Sequence, residues 1–313
     1  MSISVLTPRD RDEWLAFRRD DVTASAVGAL LGVHPYLTYY ELYMEKVGRL
    51  PPDPDDLIDQ NGAMLRGQLL ESVGIEAIHR KHPEWTVEPN VIGKGGRYFR
   101  DPALHIGATP DALVNCPERG TGLLQIKSVE PSIFRKTWIG DGDEPMPPAW
   151  IMAQVIVEAV MTGVQWAAVV PVRVGHSIDV DLIEIPIDLD VYARIKKEAA
   201  EFWQRVADMN PPQPDYRRDG KLLAQLLGPD DGTTISLAHD NEFVEAVAMR
   251  TSLKERLKEM DEDLKFYETL IKDRMGSASI ATTASYIVTN KTQNRKAYQV
   301  AANSFRVLRT KEL

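Results

Sequence analysis

Apolar residues recur at helical spacing in some stretches of the chain and at strand spacing in others, and their order suggests a fold. TPRDRDEWLAFRR reads as a helix start, with Thr7 as cap, Pro8 at the first helical position and acids nearby. Ser25 to Leu31 is a second apolar-periodic segment, closed by Gly32, and Tyr39 to Val47 is a third, closed by Gly48. PPDPDD reads as a loop, and Asn61 to His79 as a longer helix with apolar Leu65, Leu69, Leu70, Val73 and Ile78. Strand patterns follow at Thr86 to Ile92, His105 to Val114 and Gly122 to Val129, and the last two flank a Pro/Gly loop as a hairpin would. Pro148 to Met161 is helical, Trp166 to Val174 and Ile178 to Ile185 are strand-like, and Leu189 to Met209 is an amphipathic helix. This succession predicts an α/β core ending near Pro211. NPPQPDYRRDG then serves as linker, dividing a domain at 1–210 from an appendage at 211–313. The appendage reads as a long charged helix, Asn241 to Met275, packed on one face or paired with its own kind. Short strands at Ser279 to Asn290 and Ser304 to Leu308 follow around a polar turn. No internal repeat interrupts the pattern.

Composition narrows the classes. At 313 residues and 43% hydrophobic, the chain is long enough to bury a sizeable core. Its one cysteine, Cys116, excludes an internal disulfide framework and any single-chain four-cysteine zinc or iron–sulfur site, which points to a reducing cytoplasm. SISVLTPRDRDEW lacks the apolar centre of a signal peptide, and no run approaches the roughly 20 apolar residues that span a bilayer, so neither secretion nor membrane insertion is expected. The net charge of −9 means that nucleic-acid binding would need a local basic patch or bound cations. No GxxxxGK[ST] run is present, so ATP use is not expected, and none of the six histidines falls in a metal-ligand spacing.

The segment DPALHIGATPDALVNCPERGTGLLQIKSV holds the candidate chemistry, because its hairpin would bring Asp111 and Lys127 to one end. An acid and a lysine there can hold a metal and a water against a phosphodiester. The plainer reading, a surface acid and a strand-end lysine, is weakened by three features. Lys127 sits in the apolar run LLQIK, where a lysine is costly without a partner. Asp111 follows Pro110 at a turn of restricted backbone. Glu71, in RGQLLESVGIEAI, has apolar neighbours that press it toward the core.

RGQLLE, GATPDALV and LLQIKSV, in that order, resemble the PD-(D/E)XK nuclease superfamily, specifically its phage-type recombination exonucleases of the YqaJ or lambda exonuclease group. The opening block RRDDVTASAVGALLGVHPYLTYYELYMEKVG is similar to that group as well, and the resemblance spans roughly Trp14 to Trp203. It implies a restriction-endonuclease-like core, a central mixed β-sheet flanked by helices, to which the C-terminal helix and β-hairpin read from the pattern are appended. It also implies Asp111 as central metal ligand, Lys127 as catalytic lysine, Glu71 as the helical acid and Gln154 as the helical glutamine near the site. Asp101 is implied as a possible additional acid. Magnesium, with manganese able to substitute, would be held by Glu71, Asp111, Gln125 and the carbonyl of Ile126. One position departs from the pattern: Gln125 stands where an acid normally precedes the lysine by two residues, removing a negative charge from the cation site. Compensation by Glu71 and Asp101, or an inactivating change, would both account for it.

Recognition of a DNA end is implied by Arg18 and Ser25, spaced like the lambda exonuclease pair for the 5′-phosphate, and by the hydroxyl of Thr109. Ordinary readings compete with it: Arg18 as a solvated helix-face residue whose role Arg19 could exchange, and Ser25 as a helix cap. Lys291, Arg295, Lys296, Arg306 and Arg309, with Lys311, make the tail basic, and a grip on duplex backbone and a solvated hairpin fit equally well. The expected function is a magnesium-dependent exonuclease resecting the 5′ strand of linear double-stranded DNA to a 3′ single-stranded tail. The setting that the resemblance implies is a phage or prophage protein in a bacterial cytoplasm, forming a ring-shaped homo-oligomer, a trimer, and partnered by a single-strand annealing protein. A structure-specific endonuclease on the same core, and a catalytically weakened DNA-end-binding scaffold, are the alternatives.

Overall fold

In the computed structural model, which describes residues 2–50, 62–139, 144–294 and 308, helices and strands alternate in a mixed α/β arrangement. β1 (Ser4–Leu6) leads to α1 (Arg11–Arg19), β2 (Val22–Thr23), a 3-10 turn at Ala24–Ala26, α2 (Val27–Leu30), α3 (Tyr39–Lys46) and α4 (Gly62–Lys81). β3 (Thr86–Pro89), β4 (Tyr98–Asp101), β5 (Ile106–Ala108), β6 (Ala112–Cys116) and β7 (Gly120–Ser128) follow, then α5 (Pro131–Thr137) and α6 (Ala149–Thr162). β8 (Trp166–Val174), β9 (Ile178–Val180), β10 (Ile183–Glu184), α7 (Leu189–Ala207) and α8 (Gly220–Leu227) complete this part; α9 (Asn241–Met275), β11 (Ile280–Thr282) and β12 (Ile287–Thr289) come last.

The chain divides into two compact units, Met1–Leu226 and Leu227–Leu313. The division falls later than the 210/211 boundary expected from the linker composition. Residues 211–226 are tied into the first unit by Asp219, which is buried and accepts the Thr38 hydroxyl at 2.7 Å.

Two sheets organise the first unit. One has the order β1-β4-β5-β2, and the larger has β10-β8-β7-β6-β3 with β9 beside β8. β7 and β8 run parallel, with Gln125 opposite Val169, while β6 and β7 run antiparallel, with Ala112 opposite Leu124. The two-residue period of β7 sorts its side chains. Leu123 joins the apolar cluster that contains Val155 and Ala159 of α6, while Leu124 and Ile126 join the cluster that contains Ile78 of α4. Gln125 and Lys127 share the phase of Leu123, so they face α6. On the other face, Gly74 lets α4 approach closely: a Cβ there would lie 2.7 Å from Ile126 Cγ2 and 2.9 Å from Val172 Cγ2.

A buried polar knot fixes the N-terminal segment on the smaller sheet. Asp21, fully buried, accepts from the Tyr98 hydroxyl and from Arg100 Nε, each at 2.9 Å. Its burial raises the carboxyl above the usual range, and Tyr98 and Arg100 pull it back. The pairing of β2 with β5 then sets Thr23 opposite Gly107.

Several local expectations are corrected. Asp10 rather than Thr7 caps α1, its carboxylate accepting from the Glu13 amide at 2.9 Å. The run 105–114 is not one strand: it breaks at Thr109-Pro110-Asp111, with β5 in the four-stranded sheet and β6 in the six-stranded one. The run 178–185 likewise splits into β9 and β10. In α4, Leu69 is exposed rather than packed.

In the second unit, Asp240 caps α9 by accepting from the Phe243 amide at 2.9 Å, and β11 and β12 form an antiparallel hairpin. The expected strand at 304–308 lies outside the described residues except for Leu308, whose carbonyl accepts from Arg250 Nη2 at 2.9 Å.

Candidate active site

The break after β5 places Asp111 at the start of β6. It is the residue before Ala112, which pairs with Leu124, so Asp111 comes opposite Gln125 on β7. Its backbone is held by the Asn90 amide, which donates to the Asp111 carbonyl at 2.9 Å, and Asn90 Nδ2 also bonds the Pro110 carbonyl at 2.9 Å. Asp111 Oδ2 accepts from the Ile126 amide at 2.6 Å. Burial pushes its carboxyl up to about 6, against the pull of Lys127, the Ile126 amide and a hydrogen bond from Gln125. An acid tuned in this way ionises readily once a further positive charge arrives.

Lys127 Nζ donates to Gln154 Oε1 on α6 at 3.0 Å, and Gln154 Nε2 donates to Glu158 Oε1 at 2.9 Å. A lysine, an amide and an acid therefore form one chain from β7 into α6. Gln125, Gln154 and Glu158 are all buried. Two oxygens in this cluster have no hydrogen-bond partner, Gln125 Oε1 and Glu158 Oε2. Burial, followed by the nearby charge of Asp111, pushes Glu158 up to about 8, while Gln154 and Lys127 act in the opposite sense. Glu71 is half-buried on α4, one turn before Gly74 and so on the helix face that meets β7.

Asp101 is elsewhere. It ends β4 in the smaller sheet, buried, with Oδ1 accepting from the amides of Ala103 at 3.0 Å and Leu104 at 3.2 Å. That oxygen closes a turn of the smaller sheet. Among the described residues, no three His, Cys, Asp or Glu side chains converge as a metal cage. Two carboxylates with amide and carbonyl oxygens are nonetheless enough for magnesium, which keeps several waters.

The end-binding candidates are linked through a residue that the motif reading passed over. Trp14 Nε1 donates to Thr109 Oγ1 at 3.0 Å, and the Arg18 guanidinium stands 4.3 Å from the centre of the Trp14 ring. Ser25 Oγ lies 3.0 Å from Thr23 Oγ1, on the strand beside β5. Arg18, Ser25 and Thr109 are thus carried on elements that meet at the chain leading into Asp111. Arg19 is exposed in the last turn of α1. Lys291 is exposed in the second unit, whereas Arg295, Lys296, Arg306 and Arg309 lie outside the described residues.

His34, one of the six histidines without a metal-ligand spacing, packs beside this cluster. Its Nδ1 accepts from the Leu37 amide at 2.8 Å, and its ring packs 5.0 Å from Trp150, which also stands 5.8 Å from Lys127 Nζ. Burial, with Arg218 and Lys127 nearby, holds this imidazole down at about 4, so it is neutral beside the lysine. The signal for Glu158 was available in the sequence: it is the only ionisable residue in AWIMAQVIVEAVMT.

Residues 13–165 match the family model of the YqaJ-like viral recombinase domain. The chain is 24% identical over 296 residues to the uncharacterized protein YqaJ of Bacillus subtilis (strain 168), covering 91% of this chain and 86% of that one. Among solved structures it is similar to an alkaline exonuclease, LHK-Exo, from Laribacter hongkongensis, at 22% identity and a TM-score of 0.47, covering 68% of this chain and 100% of that one. It is also similar to a phage related exonuclease from Haemophilus somnus 129PT, at 13% identity and a TM-score of 0.36, covering 60% of this chain and 96% of that one. Among the described residues, no helix is long and apolar enough to cross a membrane.

Proposed function

We propose, from the match of residues 13–165 to the model of the YqaJ-like viral recombinase domain and from the site's geometry, that the protein is a divalent-cation-dependent exonuclease, resecting the 5′ strand of linear double-stranded DNA to leave a 3′ single-stranded tail for recombination. The observation that carries this reading is the meeting of Asp111, Gln125 and Lys127 at one end of β6 and β7, with Lys127 held by Gln154. The donor set suits magnesium, with manganese as substitute: the buried, unpartnered Gln125 Oε1 is a hard oxygen with nothing else to bind. Asp111, Gln125, the Ile126 carbonyl and Glu71 would hold the ion. Once bound, it would acidify a water and offset charge gathering on the phosphate.

The protein's own groups account for the rest. Gln154 fixes the Lys127 ammonium, which a phosphate oxygen would meet as a positioned positive charge. The Ile126 amide orients Asp111 from behind. Arg18, braced over Trp14, and the hydroxyls of Ser25 and Thr109 offer a charged donor and neutral donors to a terminal phosphate. Such a grip on the end would make a phosphodiester hydrolase start at a 5′ terminus. A trimeric ring around the duplex and an annealing protein taking up the 3′ strand belong to the same proposal.

Gln125 favours a second reading, a DNA-end-binding scaffold with weakened chemistry. Linear duplex and covalently closed circles incubated with magnesium separate the possibilities. The exonuclease degrades only the linear form. Cleavage of circles indicates an endonuclease, and two intact substrates indicate the scaffold.

A further inference from the structure

The cation site assigned above lacks the carboxylate that the position of Gln125 would be expected to supply, and the structure holds a carboxylate next to that gap. β7 and β8 are parallel and joined through α6, so α6 runs back antiparallel to both. Gln154 marks the register, since its Oε1 meets Lys127 Nζ at 3.0 Å. One turn onward along α6, about 5.4 Å, corresponds to two residues backward along β7, about 6.6 Å. That step carries Gln154 to Glu158 and Lys127 to Gln125. The β7 side chains of this phase all face α6, so Glu158 comes over Gln125, and Gln125 is in turn opposite Asp111 on β6.

The polar accounting singles out the same pair. Burying an oxygen without a partner is costly, and the buried groups of a folded protein are normally satisfied. In this cluster, Gln125 Oε1 and Glu158 Oε2 are both buried and both unpartnered, while the other oxygen of Glu158 is engaged by Gln154. Glu158 is also only 1% exposed, so solvent does not compensate it. Two orphaned oxygens on adjacent elements beside the Asp111 carboxylate form a donor set for a hard cation, with Lys127 at its edge. Resting on the nuclease reading above, we propose that Glu158 supplies the divalent-cation site with the carboxylate missing at position 125, the negative charge sitting on the helix at position 158 instead of on the strand.

Mn2+ alone, titrated calorimetrically into the full chain without DNA, tests the assignment. Wild type should bind, and Asp111→Asn should lose binding. Glu158→Gln, which keeps the shape and the Gln154 contact, should weaken Mn2+ by at least about tenfold. Restoring the charge on the strand, in Gln125→Glu/Glu158→Gln, should return the affinity to within about threefold of wild type. Glu158→Gln binding as tightly as wild type overturns the proposal, since Glu158 would then add no charge to the cation site. Circular dichroism verifies folding of each variant. If Glu158→Gln alone does not fold, the double variant decides: a folded double variant that leaves Mn2+ unbound also overturns the proposal. Absence of Mn2+ binding in folded wild type would instead remove the cation-dependent reading itself.

Discussion

Without divalent cations, the first unit should lose stability as pH rises through neutrality, and Glu158 should be the cause. Its carboxyl is pushed up to about 8, from 4.5 in an unfolded chain, because ionising it would bury a charge. Between those values the folded protein keeps a proton that the unfolded chain has released. Stability therefore falls with pH across that window and levels off above about 8. A single group of this kind contributes a slope of at most about 1.4 kcal/mol per pH unit. For a unit the size of Met1–Leu226, that is roughly 3–6 °C of melting temperature per pH unit. Thermal unfolding in EDTA at pH 6, 7 and 8, on wild type and Glu158→Gln, isolates the effect because all other titrating groups are shared. The wild-type melting temperature should fall relative to the variant by that slope. Excess magnesium should flatten or reverse the trend, since a cation favours the ionised form. Parallel pH profiles in EDTA would refute the reasoning.

Four other outcomes follow from the same geometry. Asp111→Asn should abolish cleavage while DNA binding, measured by anisotropy, survives; retained cleavage removes Asp111 from the site. If Lys127, held by Gln154, meets charge that develops during reaction, Lys127→Ala should lower kcat more than it raises KM. Wild type should degrade 5′-phosphorylated duplex roughly tenfold or more faster than 5′-hydroxyl duplex, matching about 1.5–3 kcal/mol for a charge-assisted contact, and Arg18→Ala should erase the difference; equal wild-type rates count against the pocket. Asp21→Ala should destabilise the fold by about 3–5 kcal/mol in urea denaturation, since it strands Tyr98 and Arg100, and a loss under about 1 kcal/mol would mean that the knot is dispensable.

The long elements were legible because their burial is written into period and composition. The helix read at 148–161 is observed at Ala149–Thr162, and the one read at 241–275 is observed at Asn241–Met275. Short elements were not. β1 and β2 have three and two residues, too few to establish an alternation, and they exist because β4 and β5 pair with them. Tyr98–Asp101 was passed over for the same reason, although it becomes an inner strand. The run 105–114 misled in the opposite direction. Its two apolar stretches lie close in sequence, but Pro110 stands between them and interrupts the strand, so the two halves serve different sheets.

The site was legible where its residues sit on a strand of known phase. The hairpin read from the sequence brings Asp111 and Lys127 to one end, and in the structure Gln125 and Lys127, two apart on β7, share a face. Residues reaching that face from other elements depend on tertiary register, which a single sequence does not display. Asp101 illustrates the cost: the resemblance implied it as an additional acid, yet it ends a strand of the smaller sheet, where its Oδ1 accepts from two turn amides. Glu158 illustrates the converse, because an acid alone in an apolar helix is as costly as the lysine in LLQIK and calls for the same question about its partner. A cation responds to the sum of nearby charge and to the availability of lone pairs, and it is indifferent to which element of the fold contributes them. Replacing an acid by Gln125 on the strand therefore need not empty the site, provided that a helix packed one layer away presents an acid at the matching turn.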